Sequence, residues 1–150
     1  MRKLLPLMLL LPVLALSQPE CESHFAAGVS YVLPKGVSAE GSYFVNRFNA
    51  GIGVAYNLAS GTKVKNGVNE YELPGNSLDI FAYAGYKVVQ VDYVVSAFLN
   101  AGYTMGNVEG LQPFVSSKIL FPAGQKAFSV EPFYIFSRGL SARATLYLRL

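Results

Sequence analysis

The chain of 150 residues is 52% hydrophobic but only 14% charged, whereas ordinary soluble domains carry roughly 25% charged residues. Its formal net charge of +3 falls to +1 without Arg2 and Lys3, two cations next to the N-terminal methionine. No cluster of lysine and arginine then remains to bind a nucleic acid, and the single cysteine cannot form an internal disulfide.

The N-terminal stretch predicts a cleaved secretory signal peptide over residues 1–17. Two cations after Met1 precede an apolar run at 4–16, which is shorter than the about 20 residues that a membrane-spanning helix needs. Ala15 and Ser17 are small and occupy the positions that signal peptidase prefers before a cut after Ser17. We therefore expect export and a mature chain over 18–150 that forms one domain.

Beyond the leader, eight segments alternate between an apolar face and a more polar face, and turn residues bound each of them. The last segment is the clearest, because Leu146, Leu148 and Leu150 share one face while Arg143 and Arg149 share the other. This weak repeat is typical of strands in a membrane barrel. The predicted strands cover 24–33, 37–46, 50–58, 78–88, 91–103, 111–121, 126–136 and 140–150.

A soluble sheet with one buried face would show the same alternation, so a single strand does not decide between water and lipid. Aromatic residues on the apolar face favour lipid. If consecutive strands run up and down, these residues collect near the two ends of a barrel, as amphipathic rings do at membrane interfaces. One predicted girdle contains Tyr31, Tyr56, Tyr103, Tyr134 and Phe136, and the other contains Phe25, Tyr43, Tyr86, Tyr93, Phe121 and Phe128.

Charged residues within the pattern all lie on the opposite face, which then points into the lumen. A tight hairpin at 88–90 would set Lys87 against Asp92, and Glu131 would lie diagonally between Lys118 and Arg143. An eight-stranded barrel is only wide enough for side chains to fill, so we expect these charges to pair and largely close the lumen. The predicted charge network consists of Glu40, Lys87, Asp92, Lys118, Glu131 and Arg143, with Asp79 and Arg149 as further inward charges.

In these features the chain resembles the small eight-stranded outer-membrane barrels, that is, the OmpA-type transmembrane domain and its stand-alone relatives. The resemblance covers Glu22 to Leu150, but the chain ends on Leu150 where the family ends on Phe or Trp. The resemblance implies an all-β fold, an eight-stranded antiparallel up-and-down transmembrane β-barrel. It also implies a location in the cell outer membrane, with lipid around the barrel.

The favoured function is a structural or surface-interaction role of the adhesion type. A long polar loop at 59–76 could carry a surface partner, since function concentrates in the loops of a rigid scaffold. A solvated linker without a partner is the alternative for this loop. A narrow pore remains open if Lys118, Glu131 and Arg143 form an ion path, although we expect a plug.

Two other function classes stay open as alternatives, an outer-membrane enzyme that modifies lipid and a soluble lipocalin-like carrier. His24 is the sole histidine and faces inward, but catalysis would need a hydroxyl and an acid beside it. A metal site would need further ligands. We expect no catalytic residue, no metal site and no cofactor.

Pro132 conflicts with the pattern, because it falls in the middle of the seventh predicted strand. A closed barrel has no free edge at which a residue without an N–H is harmless. We therefore expect a bulge at Pro132, or a strand that starts later.

Overall fold

The computed structural model describes residues 23–58, 62–66, 69–73, 76–92, 94–106 and 110–150. The predicted signal peptide at 1–17 lies outside these residues. No helix in the described part of the chain is long and apolar enough to cross a membrane.

All regular elements in the described ranges are β-strands, and each follows the alternation seen in the sequence. In chain order the strands are β1 (His24–Val32), β2 (Gly36–Val45), β3 (Phe48–Asn57), β4 (Thr62–Asn66), β5 (Asn69–Leu73), β6 (Ser77–Val91), β7 (Val95–Gly106), β8 (Gly110–Ala123), β9 (Lys126–Ile135) and β10 (Gly139–Arg149).

Eight of these strands form one closed antiparallel barrel, in the order β1-β10-β9-β8-β7-β6-β3-β2. Each barrel strand pairs with its neighbours along the chain, and β1 pairs with β10 to close the sheet, with Ala26 opposite Arg149. The predicted all-β, eight-stranded antiparallel barrel is therefore confirmed. Its two ends differ, since β1 begins and β10 ends at one end, whereas β3 ends and β6 begins at the other.

The two faces of the sheet are those that the sequence predicts. On β1, for example, Phe25 and Val29 are exposed on the outside whereas Ala26 and Ser30 are buried in the lumen. The alternation follows from strand geometry, in which successive side chains point to opposite faces. Because the sheet is closed, every strand turns its polar face toward a single shared interior.

The hairpin between β6 and β7 corrects one prediction. The turn was predicted at 88–90, but β6 runs to Val91 and β7 begins at Val95. The register shifts between Lys87 and Val89, so β6 contains one extra residue there. Asp92 lies in the turn with a φ of 46°, a positive value that aspartate tolerates. Lys87 consequently lies opposite Phe98. The predicted direct pairing of Lys87 with Asp92 is wrong.

The connection between β3 and β6 contains structure that the sequence did not reveal. Within the predicted loop at 59–76, β4 and β5 form a separate two-stranded antiparallel sheet. Their register sets Lys63 opposite Glu72 and Lys65 opposite Glu70. The two lysines of β4 therefore occupy register positions opposite the two glutamates of β5.

Pro132 lies within β9 without shifting the register, and neither predicted solution applies. In the β8–β9 ladder Ser116 lies opposite Phe133, and Ile119 lies opposite Val130. The two pairs are three residues apart on each strand and keep the same register. The β8–β9 ladder is interrupted between these two pairs of residues. Pro132 lies there, and a proline has no N–H to donate to β8. On the other side Pro132 pairs with Ala142 of β10. One missing donor thus opens a short gap in the ladder.

Candidate functional site

Four charged side chains meet inside the barrel, about halfway along the strands. Glu40 comes from β2, Lys118 from β8, Glu131 from β9 and Arg143 from β10. Lys118 and Glu131 are 0% exposed, Glu40 is 5% exposed and Arg143 is 6% exposed. Two cations and two carboxylates make this group formally neutral, and we call it the charge plug.

Short contacts connect all four groups. The Nε of Arg143 donates to Glu131 Oε2 at 2.8 Å, and its Nη1 lies 3.1 Å from Glu40 Oε2. The Nζ of Lys118 lies 3.1 Å from Glu40 Oε1 and 3.5 Å from Glu131 Oε2. Each charge therefore has two partners of the opposite sign. Such mutual pairing is what buried ions need, because each ion loses its hydration.

Register explains half of this arrangement and barrel closure explains the rest. Arg143 stands directly opposite Glu131 on neighbouring strands, so their contact follows from the β9–β10 hairpin. Glu40 belongs to β2, which does not neighbour β8, and it reaches Lys118 across the lumen. The sequence placed Glu40 on the inward face, but it did not assign it a partner.

Two tyrosines that are not among the predicted members of the network complete the charge plug. Tyr83 and Tyr147 accept hydrogen bonds from the Nζ of Lys118 at 2.5 and 2.7 Å. Tyr83 donates to Glu40 Oε1 at 3.1 Å, and Tyr147 donates to the same oxygen. The available signal was their inward position, since a buried phenol hydroxyl requires a polar partner.

Neutral polar groups also donate hydrogen bonds to the two carboxylates. Ser116 Oγ donates to Glu131 Oε1 at 2.5 Å, and Asn100 Nδ2 donates to that oxygen at 3.1 Å. Ser42 Oγ donates to Glu40 Oε1 at 3.1 Å. The network therefore draws on strands all around the barrel and is held from several directions.

The other predicted network members lie outside the charge plug. The Nζ of Lys87 donates to Gln90 Oε1 at 2.9 Å and lies 5.8 Å from the centre of the Phe98 ring. Asp92, in the β6–β7 turn, accepts a hydrogen bond from Gln90 at its main-chain oxygen. Arg149 is exposed near the C-terminus.

Asp79 pairs with Arg138, which lies between the predicted strands 126–136 and 140–150. Both guanidinium Nη atoms of Arg138, which follows β9, donate to the Asp79 carboxylate, and the Nη2–Oδ1 distance is 3.1 Å. This ion pair lies at the end of the barrel that carries the β3–β6 connection. It is separate from the charge plug.

The charge plug divides the lumen into two cavities. The loop-side cavity, of about 500 Å³, is lined by Asp79, Arg138 and Arg143 together with several aromatic rings. The terminus-side cavity, of about 530 Å³, is lined by His24, Lys87 and Tyr147 among others. Since Arg143 and Tyr147 both belong to the plug but face different cavities, the plug lies between the two.

His24 lines the terminus-side cavity, and its ring stacks on Phe44 with the ring centres 5.2 Å apart. In the described ranges, no group of three or more histidine, cysteine, aspartate or glutamate residues could hold a metal ion.

Aromatic side chains gather on the outside near both barrel ends. At the terminus end, Phe25 packs on Tyr43 at 4.5 Å between ring centres, and Phe121 packs on Phe128 at 6.3 Å. Tyr86 of the same predicted girdle contacts Phe48, which begins β3 and lies between the predicted strands 37–46 and 50–58. Tyr93 lies outside the described residues. Among the described residues, the aromatic side chains exposed at the loop end are Tyr31, Tyr56, Tyr103, Tyr134 and Phe136.

Two solved structures with similar architecture are de novo designed proteins. One, from the de novo design of transmembrane β-barrels, has a TM-score of 0.61 and 12% identity, and the match covers 89% of this chain and 98% of that one. The fold is that of a transmembrane β-barrel. The designed protein TMB2.3, solved by NMR in solution, matches with a TM-score of 0.57 and 13% identity over 89% of this chain and 98% of that one. No family model and no curated protein matches this sequence.

Proposed function

We propose that this chain is an integral β-barrel of the cell outer membrane, exported through its cleaved leader and related in architecture to the stand-alone OmpA-type barrels. Its role is structural or surface-interaction, of the adhesion type, and the charge plug keeps its lumen closed. Lipid surrounds the barrel. The proposal includes no enzymatic activity and no cofactor.

The observation that carries the proposal is the inverted distribution of polarity between the two faces. Outside, Val29 is 64% exposed, Ile52 is 63% exposed and Leu99 is 56% exposed, while Lys118 and Glu131 inside are 0% exposed. In water this arrangement would be unfavourable, because each Å² of exposed apolar surface costs roughly 25 cal/mol. In hydrocarbon it is favourable, and closure of the sheet satisfies the backbone groups that lipid cannot. A soluble carrier would need the opposite distribution.

Membrane residence and orientation can be tested on cells and on purified protein. We expect refolded protein to migrate faster before boiling than after it on detergent gels, as folded membrane barrels do. On intact cells, added protease should cleave within residues 59–76 and leave the barrel strands intact. Recovery of the mature chain from the aqueous fraction, without membrane association, would refute this proposal.

Closure of the lumen is tested by conductance. Wild-type protein in planar bilayers should carry no large steady current, because buried side chains from β2, β8, β9 and β10 fill the lumen between the two cavities. The double variant Glu40→Ala/Lys118→Ala removes one carboxylate and one cation, so the plug stays neutral and the Glu131–Arg143 pair is retained. We expect the double variant to pass more current than wild type. A large steady current through the wild-type protein would refute closure.

The hairpin of β4 and β5 is the part of the proposal that concerns a surface partner. It forms a sheet of its own that shares no strand pairing with the barrel, and β3 and β6 already pair at Asn57 and Ser77. Replacing residues 60–74 by a short glycine-serine turn should therefore leave the barrel folded. If the hairpin mediates adhesion, cells with the shortened protein should adhere less than cells with the full chain at equal surface levels. Equal adhesion would exclude the hairpin as the contact.

A further inference from the structure

We propose that the loop-side cavity binds a small amphipathic carboxylate. Its apolar body would lie among buried aromatic rings, and its carboxylate would accept hydrogen bonds from Arg143 and Ser38. This is a binding function in addition to the closed-barrel role.

The walls of this cavity are suited to an apolar ligand. Phe81, Phe114 and Ile135 all line it, with exposures of 5%, 4% and 8%, and Phe133 lies beside them. The volume of about 500 Å³ falls within the range of roughly 300–1,000 Å³ that is usual for small-molecule sites. The cavity thus has the size and the lining of a ligand pocket.

Two buried polar atoms in this cavity point to an acceptor on the ligand. Among the described residues, the Nη2 of Arg143 and the Oγ of Ser38 are buried without hydrogen-bond partners. Both residues line the cavity, and they are 6% and 7% exposed. Because a buried donor without a partner is costly, a ligand oxygen placed between the rings and Arg143 would gain binding energy there.

Charge favours an anionic acceptor over a neutral one. The charged residues that line the loop-side cavity are three cations, Lys35, Arg138 and Arg143, and one carboxylate, Asp79, which pairs with Arg138. Glu131 and Glu40 hold Arg143 in place, and its guanidinium carbon lies 4.6 Å from the centre of the Phe81 ring, which also lines the cavity. A carboxylate suits a guanidinium, because a hydrogen bond between charged groups is roughly twice as strong as one between neutral groups.

Binding can be measured on the full chain refolded into nanodiscs of a zwitterionic phosphatidylcholine. The probes are para-fluorophenylpropionate, its amide, and decanoate, with fluorine NMR for the first two and competition for the third. We expect saturable binding of the acid, absent from empty nanodiscs, and binding of the amide about tenfold weaker, since a charge-assisted hydrogen bond is replaced by a neutral one.

A matched pair of variants tests the location of the site. Ala55→Phe fills the loop-side cavity and should weaken binding at least tenfold. Ala127→Phe places the same added volume in the terminus-side cavity, which Ala127 lines, and should leave binding unchanged. Gel mobility before and after boiling shows whether each variant is folded.

A second pair of variants decides the question if Ala55→Phe does not fold. Ser38→Ala removes one hydroxyl that faces the cavity and should weaken binding about threefold to tenfold. Ser129→Ala removes a hydroxyl that is also buried without a partner but does not line this cavity, so binding should stay at the wild-type level.

The two acids distinguish possible sources of the ligand. Tighter binding of decanoate would indicate a fatty acid derived from membrane lipid, and tighter binding of the aromatic acid would indicate a solute from outside the cell. Either result supports the site. The proposal is overturned if neither acid binds saturably, or if Ser38→Ala and a folded Ala55→Phe both bind as wild type does.

Discussion

At the scale of single residues, Glu131 shows most clearly why the interior of this barrel is ordered. Its carboxylate is fully buried and contacts two cations, Lys118 and Arg143, as well as Ser116 and Asn100. A buried ion pair contributes little net stability compared with apolar packing, but removal of one partner leaves a charge without compensation. The network therefore makes each member difficult to replace alone.

Glu131→Gln keeps the shape of the side chain and removes its charge. The plug would then hold two cations and one carboxylate, so we expect the free energy of unfolding to fall by about 3–5 kcal/mol. Urea titration of protein refolded in lipid vesicles measures this loss. Lys126→Gln, at an exposed position, should change stability by less than about 1 kcal/mol. Equal losses in both variants would contradict a compensating role for Glu131.

Gly28 provides the space that the Tyr147 ring needs to reach the charge plug. The two residues are opposite each other on β1 and β10, and a Cβ at position 28 would lie 2.7 Å from the Tyr147 ring and 2.8 Å from Thr145 Cγ2. These distances are too short for carbon atoms in contact. A side chain at position 28 must therefore displace the tyrosine.

Gly28→Ala should consequently lower the free energy of unfolding by about 1–3 kcal/mol, the usual cost of overpacking. Gly41 is the matched control, since it is also mid-strand but a Cβ there meets nothing within 4 Å. Gly41→Ala should be neutral or stabilising, because glycine is unfavourable within a strand. Urea titration of both variants checks the difference, and a loss as large in Gly41→Ala as in Gly28→Ala would contradict this explanation.

At the scale of elements, the ladder between β8 and β9 is interrupted beside Pro132. The interruption lies next to Lys118 and Glu131, so the opening in the wall and the charge plug are neighbours. The side chains of the plug hold β8 and β9 together where the backbone does not. The Pro132 side chain itself faces outward and is exposed.

Pro132→Ala supplies the missing N–H, for which the register offers the carbonyl of Ser117. We expect the free energy of unfolding to rise by about 1 kcal/mol, because a hydrogen bond between strands is worth more where no water competes. The new amide at position 132 should also exchange slowly with deuterium. Pro113→Ala, near a strand end, should give a smaller gain. A fast-exchanging amide at position 132 would show that the gap has another cause.

At the scale of the whole molecule, the barrel has a wide apolar exterior with aromatic rings toward both ends. Substitution by charge at different heights tests whether this exterior faces hydrocarbon. Ile52 is in the middle of β3, opposite Gly41 and Ala82, whereas Leu140 lies near the start of β10. Both are exposed, at 63% and 79%. In water the two positions would tolerate arginine equally well.

In a bilayer, Ile52→Arg should lower the free energy of unfolding by about 2–4 kcal/mol, and Leu140→Arg by about 0–1 kcal/mol, because the cost of charge is highest at the midplane. Urea titration in lipid vesicles measures both. A result in which Ile52→Arg is as stable as wild type, or more stable, would contradict a lipid-facing exterior.

The sequence by itself determined the fold class and the orientation of the faces. Alternation along a strand is a local property of the backbone, so the inward positions of Glu131 and Arg143 and the outward positions of Leu146 and Ile52 could be assigned from residue order. Closure then followed from the repetition of that pattern in eight segments.

Only the tertiary structure decided which inward groups meet. Glu40 and Lys118 are 78 residues apart and touch across the lumen, a contact that depends on which strands face each other once the sheet has closed. The phenols of Tyr83 and Tyr147 join the plug for the same reason. Register also depends on the partner strand. The extra residue in β6 and the later turn set Lys87 opposite Phe98 instead of Asp92, and Pro132 remains in β9 without a bulge because the ladder with β8 is interrupted there.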